Sequence, residues 1–227
     1  MTSASPVLHI DVISDIMCPW CYIGKRRLER ALAERAEIPV DVRWQPFQLD
    51  PTIPRRGMDR TEYLNRKFGP ERAKEVYARI KEVGVKEGIP FAFDKIEKSP
   101  NTIDAHRVIR WAAADGDQRA AVEHLFAGYF TQGRDLTDPA YLAEVAARAG
   151  LERDVVAHLL AGDADRDKVA EEVQLAKRMG VRGVPCFVFA GKYVAMGARD
   201  PAILVQAIDR AVSDLKSQAE EARDKTG

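Results

Sequence analysis

The feature that most constrains this chain is a pair of cysteines separated by two residues. The pair is Cys18 and Cys21 in the motif CPWC, and the 227-residue sequence has only one further cysteine, Cys186. Residues 7–13 before the motif (VLHIDVI) form a β-branched, mostly apolar run of strand length, whereas the residues after it follow helical periodicity. The sequence therefore predicts that the pair lies where a strand turns into a helix.

A cysteine in that position is expected to be reactive. At the N-cap of a helix, a sulfur meets backbone N–H groups without partners and the positive end of the helix dipole, and both favour a thiolate. We therefore predict that Cys18 is the nucleophile, with Pro19 at the first helical position, where no needed donor is lost. Cys21, one turn further along, is expected to be more buried and able to close a disulfide with Cys18. The motif thus predicts thiol–disulfide exchange.

The pair is also compatible with two other interpretations. A structural zinc ion normally takes four protein ligands, and the remaining candidates are Cys186 and four scattered histidines, without a second paired motif. Two inert core cysteines are the other interpretation, and their position at a helix start argues against it. We therefore predict a redox pair and no metal site.

Composition and charge exclude several classes of partner. Hydrophobic residues make up 46% and charged residues 31% of the chain, as in soluble globular proteins. The formal net charge is zero, so no general attraction for nucleic acid or anionic lipid is expected. No segment approaches the roughly 18 apolar residues of a membrane span, and the first residues lack the pattern of a secretory signal. We therefore expect a cytoplasmic protein that has neither nucleic acid nor membrane as a partner.

Strand signals occur only near the two ends of the chain. Residues 40–47 (VDVRWQPF) alternate as a strand should, which completes a β-α-β unit within about the first fifty residues. Near the other end, residues 186–190 and 192–196 flank Gly191-Lys192, which predicts a hairpin with a two-residue loop. A last helix begins after the hairpin, so both ends of the chain have α/β character.

Helix starts and stops follow one another in the region between those strands. Asn101 and Asp104, for example, resemble an N-cap and the acid that accompanies it in the first turn. The chain is long for one domain and short for two, since domains typically have roughly 100–200 residues. The sequence therefore predicts an α/β domain of residues 1–52 and 165–227, interrupted by an all-helical domain of residues 53–164.

Three stretches of this sequence resemble the DsbA family of the thioredoxin superfamily, in particular its cytosolic FrnE-like branch. They are DVISDIMCPWC at 11–21, NTIDAHRVIRWA at 101–112 and GVRGVPCFVFAGKYVAMGA at 180–198. The resemblance covers nearly the whole chain and implies a thioredoxin-like α/β fold with a helical domain inserted after the second strand. It also implies an enzyme that exchanges, reduces or isomerises disulfides of proteins or small thiols, with the Cys18–Cys21 disulfide as its redox centre and no other cofactor.

The resemblance assigns roles to three further residues. The resemblance implies that the peptide bond between Val184 and Pro185 is cis and lies beside the cysteines, where the backbone of Val184 would meet an incoming substrate strand. The alternative is a trans proline that starts an edge strand. Asp11 matches a strand acid that lies below the active site and accepts the proton of the buried cysteine. A solvent-facing Asp11 is the alternative, because the strand register is open.

Two residues near these motifs are left out of the predicted catalytic set. Cys186 directly follows the proline, and we expect it to be a small buried hydrophobe, although exchange with the pair stays open. His106 is a lone histidine on an amphipathic helix, which we expect at the boundary between core and solvent.

The direction of the reaction follows from Trp20, which lies between the cysteines. In DsbA proper a histidine there stabilises the thiolate, whereas Trp20 brings no charge, so we expect a reduction potential between about −120 and −270 mV. In a reducing cytosol the pair would be mostly dithiol, which favours reduction or isomerisation over net oxidation. We also expect Trp20 to be a partly exposed platform for apolar substrate surface, the alternative being packing over the helix start.

Two other functions remain open for a chain of this kind. Glutathione-dependent isomerases and kappa-class glutathione transferases share this architecture and use glutathione as co-substrate. They generally do not keep both cysteines, so the presence of Cys21 distinguishes disulfide exchange from glutathione chemistry. A non-catalytic binding module or chaperone is the third interpretation. The partner expected from the sequence is a disulfide-containing protein or a small thiol; the recycling reductant and the choice between monomer and homodimer are not encoded.

Overall fold

The computed structural model describes residues 6–224, with the side chains of residues 6–221. The predicted domain boundaries at residues 1 and 227 therefore lie outside the described residues. The strands, in chain order, are β1 (Leu8–Ser14), β2 (Val40–Pro46), β3 (Met58–Asp59), β4 (Lys98–Ser99), β5 (Cys186–Phe189) and β6 (Tyr193–Met196). The helices are α1 (Pro19–Ala33), α2 (Arg60–Phe68), α3 (Pro70–Lys86), α4 (Ile103–Asp115), α5 (Gln118–Gln132), α6 (Pro139–Arg148), α7 (Arg153–Ala161), α8 (Arg166–Arg178) and α9 (Pro201–Asp224).

The central sheet has four strands in the order β2-β1-β5-β6. β2 runs parallel to β1, whereas β5 and β6 are antiparallel to their neighbours. Everything from β3 to α8 is inserted between β2 and β5. The predicted thioredoxin-like α/β fold with a helical insertion after the second strand is thus confirmed.

Three local predictions differ from the structure. The insertion is helical except for one short 3-10 turn and the paired strands β3 and β4, which at two residues each are too short to produce an alternating pattern. The hairpin loop has three residues, because Ala190 also adopts a positive φ and Phe189 pairs with Tyr193. Thr102 is the N-cap of α4, and Asn101 instead accepts a hydrogen bond from the backbone N–H of Ile103.

The predicted domain boundaries fall in loops. The boundary at 52/53 lies between β2 and β3, and the boundary at 164/165 lies between α7 and α8. Helix α8 packs on the central sheet, as its place in the predicted α/β domain requires. The division into two domains itself stays a prediction.

The two faces of the sheet are covered by different helices. Leu8, Ile10 and Val12 of β1 are buried in the main core with residues of α1 and α9. Ile13 and Cys186 point to the opposite face, where they pack with Ala176 of α8. Because side chains alternate along a strand, the face to which a β1 residue belongs decides whether it meets α1 or α8.

The inserted helices dock on α1 through an aromatic contact and a charged network. The ring of Tyr22 stacks on Phe126 of α5, with centroids 5.1 Å apart and planes 7° apart. Next to it, Glu123 accepts hydrogen bonds from the Tyr22 hydroxyl at 3.0 Å and from Lys25 and Arg26 at 2.6 Å each. Burial and the nearby carboxylate raise the pKa of Tyr22 to about 12. The helix that carries the cysteines is therefore tied to the insertion along its length.

Substituting Glu123→Gln should weaken this attachment in a pH-dependent way. Burial alone would raise the pKa of Glu123, but the interactions with Lys25 and Arg26 outweigh burial and lower this pKa below its ordinary 4.5. The ion pairs therefore stabilise the fold above that pH and are lost as the pH falls through the lower pKa of the folded state. We expect a loss of about 1–3 kcal/mol at pH 7, because the buried Lys25 loses a charged partner, and little difference at pH 3. Urea unfolding at both pH values measures this.

The control for that measurement is Glu71→Gln. Glu71 pairs with Lys74 on the surface of α3, where both side chains are exposed. Its loss should change the free energy of unfolding by less than about 0.5 kcal/mol. Equal effects of the two substitutions at pH 7 would contradict a structural role for Glu123.

Gly24 lets the loop before β5 approach α1 closely. A Cβ at this position would lie 2.8 Å from Cγ of Pro185 and 3.1 Å from Cζ of Phe187. We expect Gly24→Ala to destabilise the protein by about 1 kcal/mol net, because overpacking against a rigid ring outweighs the gain in helix propensity. Urea unfolding checks this against Gly162→Ala, whose Cβ would meet no close neighbour; a stabilised Gly24→Ala variant would contradict it.

Candidate active site

The start of α1 places the two cysteines as the motif predicts. Cys18 is the N-cap, with extended backbone (φ −92°, ψ 112°), and Pro19 is the first helical residue. The turn into the helix is closed by a hydrogen bond of 2.9 Å from the Cys18 N–H to the carbonyl of Asp15. The side chain of Cys18 makes no capping hydrogen bond, and the N–H of Cys21 donates to the carbonyl of Cys18 at 3.0 Å.

The two sulfurs have unequal surroundings. Cys18 is 5% exposed and Cys21 is 1% exposed, and both are free thiols in the structure. Burial first, and then the hydrogen bond with Cys18, hold the pKa of the Cys21 thiol well above its ordinary value. Cys21 therefore keeps its proton at neutral pH, whereas Cys18 lies at the surface end of the pair.

The loop before β5 faces the first cysteine. The peptide bond between Val184 and Pro185 is cis, as the resemblance implied. The Cys18 sulfur lies 3.8 Å from the carbonyl oxygen of Val184, to which its thiol donates. Val184 and Trp20 are both partly exposed on the two sides of this contact. The structure thus brings together Cys18, Trp20, Val184 and Pro185 from opposite ends of the chain.

Asp15 is a buried acid beside the pair that the sequence did not single out. Its side chain is fully buried, and its carboxylate accepts the N–H of Met17 at 3.3 Å and the N–H of Leu49 at 2.7 Å. Burial and Cys18 are the main causes that raise the pKa of Cys21; a hydrogen bond from the Asp15 backbone lowers that pKa, and the charge of the Asp15 carboxylate raises it. The signal in the sequence was an acid three residues before Cys18, in the short turn between β1 and α1.

Asp11 lies away from the pair. It alternates with Ile10 and Val12, so it points to the sheet face opposite α1, where it is half-buried and accepts a hydrogen bond of 3.3 Å from the amide of Gln45. The strand register therefore does not place Asp11 below the active site, where the resemblance implied it. Asp15 lies near Cys21 instead. A role for Asp11 in proton transfer stays a prediction that this register does not support.

His106 differs from its expected place at the boundary with solvent. It is 3% exposed, and its Nε2 lies 3.0 Å from the carbonyl oxygen of Phe47 and 3.7 Å from Oδ1 of Asp15. The face of α4 that carries it packs against the segment after β2, which buries it. The surrounding motif at 101–112 was the only signal for this position.

Cys186 is separated from the pair by the sheet. It is 1% exposed, lies opposite Ile13 in the antiparallel pairing and packs against Ala176. Burial raises the pKa of its thiol. These surroundings suit a small buried hydrophobe.

The described residues contain neither a helix that could span a membrane nor a group of side chains that could hold a metal ion. Among residues 6–224, no helix combines the length and apolarity needed to cross a bilayer. Within the same range, no three His, Cys, Asp or Glu side chains are grouped so that they could hold a metal ion.

The two acids are distinguished by the titration of Cys21. In a Cys18→Ser background, Asp15→Asn should lower the pKa of Cys21, because a negative charge that opposes the thiolate is removed, whereas Asp11→Ala should leave it unchanged. Thiolate absorbance against pH measures both. A shift with Asp11→Ala and none with Asp15→Asn would contradict the placement described above.

Comparison with known proteins places this geometry in a family. A family model described as a DSBA-like thioredoxin domain matches residues 9–209. A crystal structure described as a probable DsbA oxidoreductase from Streptomyces coelicolor is 30% identical with a TM-score of 0.81, and the match covers 90% of this chain and 89% of that one. YwbO of Bacillus subtilis is 24% identical over 202 residues, 88% of this chain and 96% of YwbO.

A third relative shares the fold at lower identity. It is the cytosolic disulfide reductase DsbM from Pseudomonas aeruginosa, whose structure with GSH is 18% identical with a TM-score of 0.60, covering 93% of this chain and 99% of that one. The family model spans the sheet, the cysteine motif and the inserted helices together. The chain belongs to the DSBA-like thioredoxin domain family.

Proposed function

We propose that this protein is a thiol–disulfide oxidoreductase that reduces or isomerises disulfides through Cys18 and Cys21. The Cys18 thiolate attacks one sulfur of a substrate disulfide, and the other substrate sulfur leaves with the electron pair. Cys21 then attacks the Cys18 sulfur, which releases the second substrate thiol and leaves a Cys18–Cys21 disulfide. The pair is its own redox centre and needs no bound cofactor.

One observation carries this proposal. Cys18 is the N-cap of α1, and Cys21, one turn further along the helix, is hydrogen-bonded to it. A nucleophile at the start of a helix and a resolving thiol in contact with it are the two groups that exchange requires.

The loop of Val184 and Pro185 supports a role in holding substrate. The Val184 carbonyl is already within 3.8 Å of the Cys18 sulfur, so an extended substrate segment that paired with this backbone would bring its disulfide to the nucleophile. Trp20 and Pro19 add apolar surface at the same edge. We propose that these four residues bind a peptide segment or a small thiol.

Direction and location follow from the same residues. Trp20 supplies no charge to the pair, so a potential between about −120 and −270 mV is expected, and with it reduction or isomerisation in the cytoplasm. DsbM, with its cytosolic reductase activity and bound GSH, has the same fold, which makes glutathione a candidate reductant or co-substrate.

Insulin reduction tests the proposal. With dithiothreitol or glutathione as reductant, the wild type should accelerate insulin precipitation, and Cys21→Ser should accumulate a mixed disulfide on Cys18 and lose turnover roughly 10²-fold or more. Cys186→Ala is the matched control, since Cys186 is equally buried but lies on the other face of the sheet. Mass spectrometry of the trapped Cys21→Ser adduct identifies the attacking sulfur.

The same variants separate the alternatives. Glutathione conjugation or isomerisation that persists in Cys21→Ser would favour a glutathione-dependent enzyme. Client binding that survives Cys18→Ser and Cys21→Ser without any turnover in the wild type would favour a binding module or chaperone. Exchange that survives Cys18→Ser would contradict the proposed nucleophile.

A further inference from the structure

Arg27 of α1 joins the inserted helices to the loop that follows β6. Its Nε donates to Oε1 of Glu87 at 2.7 Å, and its Nη1 donates to the carbonyl of Ala198 at 2.7 Å. Glu87 is the C-cap of α3, and its side chain is only 5% exposed. One guanidinium thus links the cysteine helix that carries it to the insertion and to the end of the central sheet. The exchange steps proposed above do not use this residue.

The loop that Arg27 binds continues the hairpin beside the cysteines. Gly197 follows directly on β6, and its N–H donates to the carbonyl of Pro185 at 2.7 Å. This bond adds one step to the pairing of β5 with β6, in which Cys186 faces Met196. Because a proline has no N–H, its carbonyl is the only backbone group through which Pro185 can join the ladder. The bond from Gly197 therefore fixes the orientation of Pro185 relative to β6.

Gly197, Ala198 and Arg199 form a turn that is completed by Arg27. Gly197 has a φ of +79°, and its carbonyl accepts the N–H of Arg199 at 2.8 Å. The peptide group between Ala198 and Arg199 is therefore fixed at both ends, by Gly197 at its N–H and by Arg27 at its carbonyl. A hydrogen bond from a guanidinium is charge-assisted and stronger than one between neutral groups. Removal of the guanidinium would leave the turn after β6 with one support in place of two.

Helix α1 meets the loop before β5 one turn nearer the cysteines. A Cβ on Gly24 would lie 2.8 Å from Cγ of Pro185, so the helix and the proline ring pack closely here. Gly24 and Arg27 are three residues apart and therefore lie on one side of α1. The Val184 carbonyl, in the residue before the proline, lies 3.8 Å from the Cys18 sulfur. The segment that faces the nucleophile is thus held by this packing and by the chain of bonds that ends at Arg27.

We propose that Arg27 is a positioning residue that orients the backbone of Val184 and Pro185 for an extended peptide substrate. This inference rests on the exchange function proposed above. It names peptide disulfides as the substrates that depend on Arg27, because a peptide segment pairs with backbone groups along a strand, whereas a small disulfide has no such groups. Arg27 acts through Ala198 and Gly197 and takes no part in the chemical steps.

Arg30 provides the matched control for Arg27. Its Nη1 donates to Oε2 of Glu87 at 2.9 Å, so both arginines bind the same carboxylate at the end of α3. A buried carboxylate needs charged partners of this kind. Within the described residues, the side chain of Arg30 bonds to Glu87 and not to the loop after β6. Arg30 therefore shares the attachment to the insertion and lacks the attachment to Ala198.

Steady-state reduction of insulin by dithiothreitol tests the proposal. Arg27→Met keeps the apolar stem and loses both donors. We expect its KM for insulin to rise roughly tenfold and its kcat to change by less than about twofold, because the loop binds the peptide equally before and during the attack. In Arg30→Met both constants should stay within about twofold of the wild type, although Glu87 loses a partner there as well.

A small disulfide separates the loop from the nucleophile. The first thionitrobenzoate released from 5,5′-dithiobis(2-nitrobenzoate) reports attack by Cys18 on a disulfide without a peptide backbone. In Arg27→Met this rate should change far less than the KM for insulin. Hydrogen exchange of the Gly197 amide should accelerate roughly tenfold in Arg27→Met and keep its wild-type rate in Arg30→Met, because only the first variant loosens the turn after β6.

A second variant replaces Arg27→Met if that variant does not fold. Arg27→Lys keeps a positive charge beside Glu87, but an ammonium lacks the planar fork with which a guanidinium reaches two acceptors. Its KM for insulin and its exchange of the Gly197 amide should therefore rise in the same way, with Arg30→Lys as the control.

The outcomes separate this inference from the proposed function. A wild-type KM in Arg27→Met, or in Arg27→Lys where that variant takes its place, overturns the positioning role, and so does an equal rise in the Arg30 control. A loss of the thionitrobenzoate rate as large as the rise in KM overturns it too, because Cys18 itself would then be disturbed. A wild type that reduces no insulin would instead overturn the proposed oxidoreductase function, and hydrogen exchange of the Gly197 amide would still decide whether Arg27 holds the loop.

Discussion

The Asp15 carboxylate holds together the two chain segments that meet at the cysteine pair. One oxygen accepts the N–H of Met17 in the turn before α1, and the other accepts the N–H of Leu49 after β2. A buried carboxylate without such donors would be strongly destabilising, so these bonds hold the turn and the exit of β2 in one arrangement. The same turn closes on Cys18 through the Asp15 carbonyl. The position of Cys18 thus depends on a side chain three residues earlier.

That arrangement also explains why the helical insertion belongs to the site. The chain enters the insertion directly after Leu49, and α4 returns to place His106 against the Phe47 carbonyl. Glu123 of α5 meanwhile binds Lys25 and Arg26 of the cysteine helix. The thiols are placed by local structure at the start of α1, whereas the groups that surround them come from the insertion.

The sequence predicted the parts of the site that local physical chemistry determines. Cys18 at the N-cap and Pro19 at the first helical position follow from the capping rules, and the structure has them there. The sequence left the orientation of Asp11 open, because Leu8, Ile10 and Val12 mark the apolar face of β1 without saying which helix covers it. Once α1 covers that face, Asp11 belongs to the other one. Tertiary packing likewise decides which face of α4 contacts the segment after β2. The helical periodicity alone therefore could not predict that His106 is buried.

In the proposed reaction, the unequal burial of the two cysteines assigns the two attacks to different surroundings. Cys18 contacts the Val184 carbonyl at the protein edge, so the first attack depends on substrate access to the loop before β5. Cys21 is enclosed and its pKa is raised mainly by burial, so the second attack depends on where its proton goes. Changes in the loop should therefore alter which substrates react, and changes around the buried Cys21 should alter how fast the mixed disulfide resolves. Because the two thiols have different surroundings, we expect substrate choice and resolution rate to depend on different residues.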